Sequence, residues 1–130
     1  MVFIDNLEPM ILEGKAYWCS LFQPNTKFNS VYQISLMVNK SLYDKYKKQS
    51  YPTKKILEGY CIVMRTKTKE GYKPIVVDKK QQPLVMFGEI QNGSNVKVKF
   101  DTYETNTTYG RFKGFNLIAV MLLDDVPKLF

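Results

Sequence analysis

The stretch "NGSNVKVKFDTYETNTTYGRFKGF", residues 92–115, decides how the rest of the chain is read. Asn92-Gly93 is a strong tight-turn dipeptide, because both residues tolerate positive φ. Beyond it Val96, Val98 and Phe100 share one face of an extended segment, while Lys97, Lys99 and Asp101 share the other. That period of two marks a half-buried antiparallel strand. Tyr103 continues the outward row. "ETNTTYGR" then reads as a loop that lifts Tyr109 and Arg111 outward, with Gly110 as its flexible point, and Lys113 opens the return strand. That strand, "KGFNLIAVMLLDDV", is apolar on both faces over its middle, as expected of a well-covered strand.

Working upstream, "SVYQISLMV" alternates in the same way, with Tyr32, Ile34, Leu36 and Val38 on one face and Gln33 and Ser35 on the other. The aromatic-rich "GKAYWCSLFQ", Gly14 to Gln23, forms an earlier strand that ends at the turn signals of "PNTKFNS". "NKSLYDKYKKQ" breaks the alternation. Asn39 or Ser41 can cap a short helix there, Leu42 and Tyr46 dock it one turn apart, Lys45 and Lys48 face solvent, and Pro52 stops it. A further strand is expected over Ile56 to Thr66, a turn at "KEGYKP", a short strand at "PIVVD", and a polar loop at "KKQQPL".

Five or so antiparallel strands and one short helix predict a mainly β domain: a five-stranded antiparallel barrel of the oligonucleotide-binding (OB-fold) kind, in which one strand face and its flanking loops take extended chains. An open α+β sandwich fits the periodicity nearly as well. A chain of 130 residues suffices for one domain and is too short for two. The expectation is a single domain over 1–130, with a short flexible end from about residue 124.

Composition narrows the function. Lys and Arg number 19 against 12 Asp and Glu, and the resulting +7 favours polyanionic partners. Aromatics make up 14%, more ring surface than so small a core needs. Histidine is absent, which removes the commonest general base and every Ser-His or Cys-His nucleophile. The carboxylates are scattered; Asp124 and Asp125 read better as the polar end of a strand than as a magnesium site. Catalysis, a cofactor and a bound metal are therefore not expected. Cys19 and Cys61 are too few for a disulfide framework or a cysteine-only zinc site, and each lies in an apolar run where a reduced thiol packs as a small hydrophobe. The N-terminal "MVFIDNLEPM" has no secretory pattern, so the "NTT" acceptor at Asn106 carries no weight. The longest apolar run, Leu117 to Leu123, is seven residues against the ~20 of a membrane span. A reducing cytoplasm and no membrane partner are the expectations.

Single-stranded nucleic acid asks for cations to neutralise phosphates and ring faces to stack on unpaired bases. Tyr103, Tyr109 and Phe112 fall within ten residues and interleave with Arg111 and Lys113, while Lys97 and Lys99 precede them. Tyr17 and Trp18 point to opposite strand faces, so one is core and the other exposed. Arg65 and Lys67 extend the basic path or guard a sheet edge. These eleven residues are the candidate nucleic-acid site. A cold-shock-like RNA-binding barrel and a module for an acidic protein partner use the same groups.

Three segments resemble the single-stranded DNA-binding proteins of tailed bacteriophages, the gene 2.5 type: "GKAYWCSLFQP" with "VYQISLMV"; "PIVVDKKQQPL"; and "NGSNVKVKFDTYE" with "LIAVMLLDDVP". Their order and spacing match over residues 13 to 126. The resemblance implies an OB-fold barrel that coats exposed strands in phage DNA replication and recombination, with self-association, strand annealing and replication-protein partners. It places Val96 to Phe100, the segment Thr102 to Arg111, and Tyr17 and Trp18 on the binding side. Members of that family usually end in a long acidic tail closing on an aromatic residue; this chain reads "DDVPKLF" there.

Overall fold

A computed structural model describes residues 2–5, 9–25, 31–67, 73–84 and 88–125. Its elements in chain order are β1 (Val2–Asp5), β2 (Met10–Asn25), β3 (Val31–Val38), α1 (Lys40–Lys48), β4 (Thr53–Ile56), β5 (Gly59–Lys67), β6 (Ile75–Val77), β7 (Ser94–Thr107) and β8 (Gly110–Leu122).

Hydrophobic alternation builds the barrel as expected. Val96, Val98 and Phe100 on β7, Ile34 and Leu36 on β3, and Ile62 and Met64 on β5 are fully buried and meet in one core. Five strands close around it in the order β2-β3-β5-β8-β7 and back to β2. The closing contact corrects the all-antiparallel expectation. β5 and β8 run parallel where Arg65 meets Asn116, and β6 joins β8 in parallel as well. A β-barrel with an odd number of strands cannot alternate direction all the way round, so one seam has to be parallel.

The helix forms where its cap allows. Asn39 adopts extended geometry and its Oδ1 accepts a 2.8 Å hydrogen bond from Leu42 N–H, satisfying a donor the first turn leaves open. Tyr43 and Tyr46 are buried on its inner side. Tyr46 meets Phe115 edge-on at 4.9 Å, so α1 docks on the floor of the core.

Several boundaries differ from the sequence reading, each for a local reason. The strand expected from Ile56 is a hairpin, β4 and β5 joined at Leu57-Glu58, because Gly59 takes a positive φ that few other residues tolerate. β2 extends from Met10 to Asn25, and a further strand, β1, pairs with β7 over Tyr103 to Asn106. The "KKQQPL" loop is tied by Asp78, whose Oδ1 accepts from Lys80 N–H and Gln82 N–H. Past Ser20, β2 drifts out of register with β3. Its amides at Leu21, Phe22 and Gln23 donate instead to the Glu89 carboxylate at 2.6–3.1 Å. Pro24 and Asn25 of the expected "PNTKFNS" turn are the end of β2, and the rest of that turn, most of that at "KEGYKP", and residues 126–130 of the expected flexible end lie outside the described residues. The start of that end is held: Asp124 accepts from Asn95, and Asp125 pairs with Lys79 at 2.8 Å. Those bonds keep both carboxyls below the usual carboxylate range. Among the described residues, no helix is long and apolar enough to cross a membrane.

Candidate nucleic-acid interface

Strand register carries the outer surface of the barrel across four strand boundaries. Ser20 on β2 lies opposite Gln33 on β3, Gln33 opposite Arg65 on β5, Arg65 beside Asn116 on β8, and Asn116 opposite Asp101 on β7. Residues opposite one another across paired strands present side chains on a common face. Arg65 is exposed, and its Nε donates to Gln33 Oε1 at 3.4 Å. The next rungs along β7 and β8 are Tyr103 with Gly114 and Thr105 with Phe112. Arg65, Tyr103 and Phe112 therefore belong to one continuous outer surface.

At the other end of this surface, β2 carries a bulge. Tyr17 pairs with Ser35 and Ser20 with Gln33, so one extra residue is accommodated between them, and Trp18 sits there at φ 52°. Its N–H, turned out of the ladder, donates to Asn92 Oδ1 at 2.8 Å. The bulge resolves the Tyr17/Trp18 alternative. Trp18 is 51% exposed, whereas Tyr17, on the rung with Ser35 and Val63, is 7% exposed. Tyr17 is thus largely covered, on a rung two positions along the strands from that of Gln33 and Arg65. Lys54 of β4 stands over the Trp18 indole at 5.9 Å. Beneath it Cys19 is buried, and desolvation, with the nearby Glu89 charge adding to it, pushes its thiol up to about 12.

The segment expected to be a loop, Thr102 to Arg111, is strand almost throughout. β7 and β8 remain paired from Val96–Leu122 out to Thr107–Gly110, and β1 adds a third strand from Asp5–Tyr103 to Val2–Asn106. The result is an arm projecting beyond the barrel, its tip a tight turn at Thr108-Tyr109 with Tyr109 92% exposed. Being a strand, the arm has two faces, and the candidate cluster divides between them. Tyr103 and Phe112 lie on the outer face; Arg111 and Lys113 lie on the face continuous with Phe115 and Leu117 of the core. Phe112 is 54% exposed. Tyr103 lies over Gly114, where a Cβ would strike its ring. On the opposite face Arg111 pairs with Glu104 at 2.8 Å and donates to Asn106 Oδ1, while Lys113 stands over the Tyr51 ring at 5.6 Å. The expected interleaving of rings and cations is a sequence adjacency that pleating separates.

Lys97 and Lys99 do face outward. Lys97 lies opposite Glu13 and pairs with it at 3.5 Å; Lys99 lies between Ile11 and Ala119. They occupy the stretch of β7 beyond Asp101, on the side away from Tyr103. The backbone of Lys67 pairs with Val31, and its side chain lies outside the described residues. Lys54 and Gln33 are the two additions. In the sequence Lys54-Lys55 reads as the polar lead-in to a strand, and only the β4 hairpin turns Lys54 over Trp18. Alternation did place Gln33 outward, but nothing in it shows that Arg65 is the residue opposite.

Barrel order, parallel seam and interior helix define an oligonucleotide-binding fold. Among solved structures, the chain is similar to the single-stranded DNA-binding protein from bacteriophage Enc34, at 17% identity and TM-score 0.67, covering 94% of this chain and 84% of that one. The same phage protein solved in complex with ssDNA gives 16% identity and TM-score 0.69 over 94% and 89%. The gp2.5 single-stranded DNA-binding protein encoded by bacteriophage T7 gives 18% and 0.65 over 93% and 88%. At these identities the likeness is one of fold. No family model and no curated protein matches the chain.

Proposed function

We propose that this chain is a non-catalytic, sequence-tolerant single-stranded DNA-binding protein of a phage, working on exposed strands in the cytoplasm of an infected cell. The observation that carries this reading is the outer surface running from Trp18 and Lys54 through Gln33 and Arg65 to Tyr103 and Phe112, with Tyr109 at the arm tip. It follows the outside of the barrel strand by strand and offers rings on β2 and on the arm, with the Arg65 guanidinium on a strand between them. Bases splayed from a single strand stack on such rings whatever their identity, and cations neutralise the phosphates between. Duplex DNA offers no free base faces, so this surface discriminates against it. Support also comes from the folds it resembles, whose proteins are described as single-stranded DNA-binding and one of which was solved with ssDNA.

The test is titration of a fluorescent oligo-dT against the protein at several salt concentrations. Affinity should fall with salt at a slope of about −0.7 per phosphate contact. Flat affinity, or a clear preference for a matched RNA or duplex, would overturn the reading. Self-association, annealing and replication-protein partners belong to the same reading and are open to sedimentation and pull-down from infected cells.

A further inference from the structure

Residues 39–60, spanning α1, β4 and the start of β5, hold six lysines against Asp44 and Glu58, a net +4 of the chain's +7. Each position has a local reason. Lys45, Lys47 and Lys48 complement the carbonyl end of α1, and lysines on the edge strand β4 discourage pairing with other chains. Those reasons do not account for how the ammonium groups are held. Lys40 pairs with Asp44; Lys45, Lys47, Lys48, Lys54 and Lys55 have no carboxylate partner among the described residues. Lys47 stands 5.6 Å over Tyr43, and Lys55 5.7 Å over Tyr60. Those two rings are themselves in contact, centroids 4.8 Å apart. Lys45 lies 6.0 Å from the Tyr46 ring, which continues through Tyr51 and Phe115 to Phe100 in the core. Lys45, Lys47 and Lys55 thus rest on a packed aromatic floor rather than swinging free, and Lys48 follows them on the last turn of α1. That lowers the entropy lost when they engage a ligand.

β4 is the ridge between this basic end and the surface described above. Lys54, opposite Cys61, stands over Trp18, while its neighbour Lys55 turns the other way onto Tyr60. Resting on the single-stranded DNA reading, we infer that a strand leaving the surface at Trp18 continues over β4 and along α1, its phosphates held by Lys55, Lys47 and Lys48. Tyr43 and Tyr46 are buried beneath the lysines, so this extension takes the sugar-phosphate backbone without stacking bases. It is purely electrostatic, blind to sequence, and used only by strands too long for the surface between Trp18 and the arm.

The test compares the wild-type chain, K47Q/K48Q/K55Q and W18A on oligo-dT of about 6 and about 25 nucleotides, within and beyond the span of one OB barrel. Glutamine keeps helix propensity, and thermal melting by circular dichroism checks that each variant is folded. The triple variant should bind the short strand as wild type does. On the long strand its salt slope should shrink by about 2, three contacts at about 0.7 each. W18A should weaken both lengths. An unchanged long-strand slope in the folded triple variant, or equal weakening at both lengths, would overturn the extension. If wild type binds neither length, the single-strand reading fails first and the extension with it. If wild type binds only the long strand and W18A binds it equally well, the basic end acts alone and the continuous path is wrong.

Discussion

The barrel and the arm are built from the same two strands, β7 and β8, and they obey different physics. Within the barrel, one face of each strand is sealed: Val96, Val98, Phe100, Phe115 and Leu117 are all 3% exposed or less. Past Thr102 and Phe115 the same faces carry Glu104, Asn106, Arg111 and Lys113 in place of apolar side chains, and of these four Lys113 reaches back over Tyr51 at the edge of the core. Barrel side chains are held by apolar burial, those of the arm by cross-strand pairs. The barrel core is therefore intolerant of substitution and the arm permissive.

Several experiments would break or sharpen that contrast. The largest effect is expected in the barrel wall. Phe100→Ala should cost about 3–5 kcal/mol in chemical denaturation, since a fully buried ring leaves a cavity, whereas Phe112→Ala in the arm should shift the midpoint little and weaken oligo-dT binding instead. Equal destabilisation by the two would erase the distinction. The glycines make the same comparison. A Cβ on Gly14 would strike the Met37 backbone carbonyl, which cannot yield, so Gly14→Ala should lower the melting temperature markedly. A Cβ on Gly114 would strike only the Tyr103 side chain. Gly114→Ala should therefore leave the protein folded while moving that ring, read as weaker oligonucleotide binding and a changed tyrosine environment in near-UV circular dichroism.

Binding variants come next. Trp18→Ala should cost roughly 1–3 kcal/mol of affinity, the worth of one stacked base, with the salt slope intact. Arg65→Ala should instead reduce the slope by about 0.7. The smallest effect is expected at Arg111, already paired with Glu104. Arg111→Ala should change stability by less than about 1 kcal/mol, as exposed ion pairs usually do.

A pH series separates a wall residue from a surface one by chemistry. Burial raises the Cys19 thiol to about 12, so the folded protein favours its neutral form. The stability this contributes is fully present below the unfolded thiol's pKa of about 8.5 and is lost as pH rises from there toward 12. Cys19 should resist alkylation at pH 8 in the folded protein and react promptly in denaturant. Prompt modification of the native state would show that the β2 wall opens. Asp124 and Asp125 work in the opposite sense. Their lowered carboxyls contribute above the unfolded value near 4, and that contribution fades as pH falls below it.

Much of the barrel was legible in the alternation of Val96, Val98 and Phe100, of Ile34 and Leu36, and in the capping residues Asn39 and Ser41, of which the structure uses Asn39, because each depends on neighbours within a few positions. The helix at Lys40–Lys48 was readable for the same reason. The candidate surface was legible by composition but not by arrangement. Rings and cations close in sequence, such as Phe112 and Lys113, part onto opposite faces of a pleated strand. Groups far apart, such as Trp18 and Lys54, meet through a bulge and a hairpin that only long-range pairing creates.

The sequence by itself determined which residues of the alternating strands face the core, that a short helix capped at Asn39 or Ser41 follows one of them, and that the chain carries excess cations and rings. Tertiary structure alone decided which of those rings reach solvent, that β5 and β8 meet in parallel, and that lysines of α1 and β4 lie over Tyr43, Tyr60 and Trp18. The physical reason is range. Burial and capping are written in local periodicity, while a shared surface depends on registers between strands tens of residues apart, which no local pattern records.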